Sequence, residues 1–181
     1  IPTIFRSGLL IEQHIRDIGD GIIEMTYVYY NFGNDTLDFF SVPWSPVRNS
    51  NLPVQYISLP DGTYKRDQKV WPNNDVVDIL DTNGWMISAP VDDPASQAYG
   101  FVVGEDKHVG APFKWAPNTK NPIRGNDKFR WGTVAPPRND VVTGTQRRVI
   151  IKPGDNFFFR YYFVVNTVGK IAEYGRELAE F

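Results

Sequence analysis

The run Phe157-Phe158-Phe159-Arg160-Tyr161-Tyr162-Phe163-Val164-Val165 constrains this chain more than any other segment. Side chains alternate across a strand, so Phe157, Phe159, Tyr161 and Phe163 fall on one side and Phe158, Tyr162 and Val164 on the other. A strand with one wet face shows a polar set at every second position, whereas here both sets are apolar. The strand is therefore expected to lie between two layers. Val149, Ile150 and Ile151 precede it across Lys152-Pro153-Gly154-Asp155, where proline presets φ and glycine accepts φ > 0, so the pair reads as a β-hairpin. An antiparallel β-sandwich is the architecture that uses such a strand.

The rest of the chain is punctuated in the same manner. Strands are predicted over Gly8 to Ile18 and Ile22 to Phe32, joined by the tight turn Asp20-Gly21, and over Thr36 to Val42. Pro43-Trp44-Ser45-Pro46-Val47-Arg48 is expected to stop regular pairing, because proline cannot donate to a ladder. Short strands follow over Val54 to Leu59, Val76 to Leu80, Trp85 to Ser88 and Gly100 to Val103, separated by Gly, Pro, Asn and Asp clusters. Glu105 to Asn139 reads as a long excursion pinned by Trp115, Phe129 and Trp131. Past the aromatic strand the period changes: Ile171, Tyr174, Leu178 and Phe181 recur three and four apart, predicting a short helix over Gly169 to Phe181. The expectation is a single all-β domain over residues 1–181, an antiparallel sandwich with a short C-terminal helix.

Composition removes several functional classes. With no cysteine, thiol catalysis, disulfides and cysteine-ligated zinc are excluded. A formal net charge of -2 lacks the basic footprint of a nucleic-acid binder, and no apolar run approaches the roughly 20 residues that span a bilayer as a helix. The two histidines lie far apart in sequence and make no metal signature; no cofactor motif, phosphate-cradling glycine loop or nucleophile elbow is present. The chain starts at Ile1 with no basic-then-apolar leader, and so reads as a processed product or an excerpt of a longer chain.

Tyr27-Val28-Tyr29-Tyr30-Asn31-Phe32-Gly33-Asn34-Asp35, then Pro43-Trp44, then Ile151-Lys152-Pro153-Gly154-Asp155 with its aromatic strand and short helix, resembles the galactose mutarotase-like β-supersandwich of carbohydrate-processing proteins. The resemblance covers Gly8 to Asn34 and Arg147 to Phe181. It implies a supersandwich-like fold, a polysaccharide or oligosaccharide partner and, through that context alone, a secreted or periplasmic setting. It leaves open whether the chain binds sugar, acts as a complete polysaccharide lyase or sugar epimerase, or is a non-catalytic structural sandwich, since one fold hosts many chemistries.

Two groups of residues fit sugar chemistry. Trp44 offers a flat apolar face for a sugar ring, and Arg48 a planar donor for hydroxyls or a carboxylate. On the excursion, Lys107, Trp115, Arg124, Arg130 and Trp131 supply further aromatics and cations. His108 among them is the candidate general base for removing a proton beside a carboxylate, with the cations stabilising the developing charge. His14 shares a predicted strand face with Glu12, Arg16 and Ile18, which reads as a polar sheet surface.

Overall fold

A computed structural model describes residues 8–41, 44–48, 51–67, 76–78, 82–107, 128–133 and 140–179. The first two strands, β1 (Leu9–Gly19) and β2 (Ile22–Asn31), pair antiparallel around Asp20 and Gly21, whose φ values of 52° and 76° are those of the mirror-image turn that matches strand twist. Next come β3 (Leu37–Ser41), β4 (Trp44–Arg48), β5 (Val54–Ser58), β6 (Tyr64–Asp67), β7 (Val76–Asp78) and β8 (Trp85–Ala89). Then follow β9 (Gln97–Lys107), β10 (Lys128–Thr133), β11 (Asp140–Ile151), β12 (Asn156–Thr167) and the helix α1 (Val168–Leu178). They form an all-β sandwich: a seven-stranded sheet ordered β1-β2-β12-β9-β8-β5-β6, and a five-stranded sheet ordered β3-β11-β10-β7 with β4 also on β11.

The aromatic strand is internal, as its two apolar faces require. β12 pairs with β2 on one side and β9 on the other. On its first face Phe157 and Tyr161 join Tyr29, Ile57, Met86, Phe101, Val103 and, from the other sheet, Ile151. Rings dominate this layer: Tyr161 stacks between Tyr27 and Phe101 at centroid distances of 5.7 and 5.2 Å. On the second face Tyr162 and Val164 pack with Trp85, Ile87, Val102 and the helix residues Val168, Ile171 and Ala172. The second layer is thus the C-terminal helix. Thr167 caps it by accepting from the Lys170 N–H, and one face of its turns carries the buried residues.

Helix and sheet meet at van der Waals contact because two glycines open the space. A Cβ at Gly175 would lie 2.5 Å from Cγ of Trp85, and one at Gly100 would lie 2.3 Å from Cγ2 of Ile171. Trp85 and Ile171 are both fully buried in consequence.

Three sequence expectations are corrected. The turn at Lys152–Asp155 closes with Asp155 N–H donating to Lys152 O (3.0 Å), yet its arms do not pair: β11 belongs to the five-stranded sheet and β12 to the seven-stranded one. Both edges of β12 are already occupied by β2 and β9, so the turn is an arch between sheets rather than a hairpin. Residues 44–48 also continue a strand. Ser41 lies opposite Arg147 and Trp44 opposite Gly144, so β3 and β4 follow one register along β11, with Pro46 opposite Val142. β4 pairs with β11 alone among the described residues, and an edge strand tolerates proline because its N side need not donate. The excursion likewise contributes strand, through the end of β9 and all of β10.

Candidate functional site

The sheet topology distributes the sequence-predicted residues between two places. In the five-stranded sheet, Trp44 and Arg130 flank Gly144 from opposite sides, Trp131 lies opposite Thr143, and Arg48 lies opposite Asp140 at the far end of β4. Lys107 belongs to the other sheet, at the end of β9 and opposite Phe158. His108, Trp115 and Arg124 lie outside the described residues.

A second surface is defined in side-chain detail. The helix covers only part of the outer face of the seven-stranded sheet, and beyond it β1, β2 and β12 present Glu12, His14, Arg16, Glu24, Thr26, Phe158 and Arg160 by register. Arg16 Nη2 donates to Glu24 Oε2 at 3.1 Å, and Arg160 Nε stands 3.7 Å from the same oxygen. His14 Nε2 lies 3.5 Å from Glu12 Oε2. The Arg160 guanidinium also sits 5.7 Å above the Phe158 ring, a cation held over an aromatic quadrupole. Two carboxylates and two guanidiniums balance in formal charge, so the cluster is rich in donors and acceptors without a strong net field.

The other end of this face is apolar. Tyr30 and Phe32 stack with centroids 5.9 Å apart and planes 14° from parallel, beside Leu10, which lies opposite Tyr30. Phe32 is 72% exposed, the most open of the large apolar side chains on the described surface. Tyr30 and Glu24 are six residues apart on one strand, so the ion cluster begins two residues from the ring platform, at Glu12 opposite Val28, and reaches roughly 20 Å from it at Glu24. Flat rings at one end and convergent polar groups at the other make an elongated amphipathic surface.

The platform is held by Asn31, which is 1% exposed. Its Nδ2 donates to Asp35 O (2.8 Å) and Ile151 O (2.9 Å), and its Oδ1 accepts from Gly33 N–H (2.9 Å). Its backbone exchanges two more bonds with the arch, Gly154 N–H to Asn31 O (2.8 Å) and Asn31 N–H to Asp155 O (3.1 Å). Tyr30 and Phe32 therefore project from either side of an over-determined residue.

Sequence reasoning placed His14 with Glu12 and Arg16 on a polar face but missed Tyr30, Phe32, Glu24 and Arg160. Arg160 carried a legible signal, as the only charge in the aromatic strand; Phe32 carried none, since it lies in a turn cluster. Among the described residues no group of His, Asp and Glu is arranged to hold a metal ion, and no helix is long and apolar enough to cross a membrane.

No protein-family model matches the chain, and no curated protein sequence matches it. Among solved structures it is similar to a Klebsiella pneumoniae subsp. pneumoniae MGH 78578 protein whose aldose 1-epimerase activity is itself a provisional assignment. The TM-score is 0.52 at 11% identity, over 97% of this chain and 51% of that one. A TPR-domain containing protein from Parabacteroides distasonis ATCC 8503 matches with a TM-score of 0.40 at 13% identity, over 87% of this chain and 30% of that one. The first likeness is one of fold, and the chain spans about half the length of that structure.

Proposed function

We propose that this chain is a carbohydrate-binding β-sandwich that holds an oligosaccharide or polysaccharide along the outer face of its seven-stranded sheet. The observation that carries the reading is the exposed, nearly parallel Tyr30–Phe32 pair in line with the Glu12, His14, Arg16, Glu24 and Arg160 cluster. Sugar rings stack their C–H faces on such rings, and their hydroxyls both donate and accept, which suits mixed carboxylates and guanidiniums. The length of the surface favours a chain of sugars over one ring, and the balanced charges favour a neutral glycan over a polyuronate. The likeness of fold to the Klebsiella protein supports a carbohydrate context. Trp44, Arg48 and Arg130, at in-phase register positions of the five-stranded sheet, form a second proposed contact set, whereas Trp131 is one residue out of phase with them and Lys107 belongs, opposite Phe158, to the first surface. Trp115 and Arg124 remain proposed sugar contacts from the sequence.

The test is affinity electrophoresis and calorimetry against a panel of neutral and acidic oligosaccharides. Retention by at least one glycan, lost in Phe32→Ala, supports the reading. No binding across the panel removes it.

A second reading, sugar epimerisation or lyase chemistry, is favoured by His14 and Glu12 side by side on an open face, with His108 as the base that sequence reasoning selects. Epimerisation changes optical rotation without cleaving a chain, and β-elimination produces an ultraviolet-absorbing unsaturated uronate. Either signal, abolished in His108→Ala or His14→Ala while binding persists, would move the assignment to an enzyme.

A further inference from the structure

Among the described residues β1 is one edge of the seven-stranded sheet, and its properties differ from those of a protected edge. Every residue from Leu10 to Gly19 is exposed, and β2 is its only strand partner among the described residues. Native edges are blunted by inward-pointing charges, prolines or bulges, because an open row of N–H and C=O groups templates another strand. The regular ladder of β1 runs from Leu9 to Asp17, with the irregularity only after it, and its inner-face positions before Asp17 are Leu9, Ile11, Gln13 and Ile15. Ile11 is 50% and Ile15 64% exposed, continuing the aromatic layer of Tyr27 and Tyr29 past the last ring. Nothing along Leu9 to Arg16 on that face repels a second strand.

We propose that β1 pairs antiparallel with β1 of a second copy of this chain, about a two-fold axis at Gln13, joining two seven-stranded sheets. Gln13 is the midpoint of the regular segment, so this register uses all of it. It sets Ile11 opposite Ile15 of the second copy, twice, on the inner face. On the outer face it sets Glu12 opposite His14 of the second copy, also twice, and no like charges stand directly opposite one another. The end pairs are Leu9 with Asp17 and Leu10 with Arg16; sliding the axis to His14 would move Asp17 inward against Ile11, remove the Ile11–Ile15 pairs and set the two His14 rings against each other. Cross-strand apolar pairs and complementary polar pairs are the units that stabilise such a ladder. An isologous contact of this kind closes on itself and gives a dimer. Its consequence is that the two outer faces become one continuous surface.

The test is sedimentation equilibrium of the chain over a wide concentration range, with thermal melting as a folding control. The expected result is a monomer–dimer equilibrium that Ile15→Lys weakens at least about tenfold, a charge being the natural device against edge pairing, with melting unchanged at concentrations where both chains are monomeric. Because the chain has no cysteine, register is read directly: under mild oxidation Gln13→Cys should form a disulfide-linked dimer much faster than His14→Cys. A parent chain that stays monomeric overturns the proposal and leaves the edge to a different partner. A dimer indifferent to Ile15→Lys, or one cross-linked through His14→Cys in preference to Gln13→Cys, overturns it as well.

Discussion

The side-chain amide of Asn31 donates to the backbone oxygen of Ile151, 2.9 Å away across 120 residues of sequence. That bond ties the end of the second strand to the arch that carries the chain from one sheet to the other. The stretches Tyr27 to Asp35 and Ile151 to Asp155 are therefore one structural unit.

Replacing Asn31 should be among the most damaging polar substitutions. In Asn31→Ala the carbonyls of Asp35 and Ile151 and the N–H of Gly33 lose their partner in or beside the core. At about 1–3 kcal/mol for a buried group left unsatisfied, the expected loss is at least 2 kcal/mol or so, read by chemical denaturation. Asn31→Asp should be no better, because a carboxylate cannot donate to either carbonyl.

Helix docking should fail on one methyl group. Gly175→Ala introduces a Cβ onto the face of the Trp85 indole, where Cγ and Cδ2 would stand 2.5 and 2.6 Å away. Trp85 is fully buried and bonded through Nε1 to Asn83 Oδ1 (3.2 Å), so it has little room to yield. Overpacking of this kind costs about 1–3 kcal/mol, against the slight gain in helix propensity from alanine. Tryptophan fluorescence and the melting midpoint should shift together.

Glycan binding should depend on Phe32 without the fold depending on it. Its ring is largely exposed, so Phe32→Ala should leave the melting midpoint nearly unchanged while weakening oligosaccharide binding by at least about 1 kcal/mol, as an aromatic anchor does. Glu24→Gln separates ligand classes: with less negative charge between Arg16 and Arg160, an acidic oligosaccharide should bind more tightly and a neutral one little differently.

Stability should fall in alkali through a particular pair. Burial, followed by the hydrogen bond from the Tyr56 hydroxyl to Asp92 Oδ1 (2.5 Å), pushes the phenol well above its ordinary value of 10.0. Arg66 holds the other Asp92 oxygen at 2.9 Å. Below pH 10 the phenol is protonated in both states and the stabilisation is intact. Above it the unfolded chain ionises first, so stability declines as pH rises toward the folded value. Tyr56→Phe should be less stable at neutral pH but lose stability less steeply above pH 10, as measured by urea denaturation at stepped pH.

Strand alternation, turn chemistry and the shift to a helical period determined the all-β class, the Asp20-Gly21 hairpin, the internal position of Phe157 to Val165 and the closing helix, because each is a local pattern whose burial has one economical solution. Pairing was decided elsewhere. Lys152-Pro153-Gly154-Asp155 is locally the same turn whether its arms meet in one sheet or part into two, and only the prior occupation of both β12 edges by β2 and β9 makes it an arch. Pro46 is compatible with a strand only at an edge, and whether Trp44–Arg48 is an edge depends on β11, nearly a hundred residues later. The charged cluster is likewise tertiary. Arg160 stands out in sequence as the one charge of an aromatic strand, but that His14, Glu24 and Arg160 become neighbours is decided by long-range register, set by burial of the opposite face, which aligns three strands drawn from both ends of the chain.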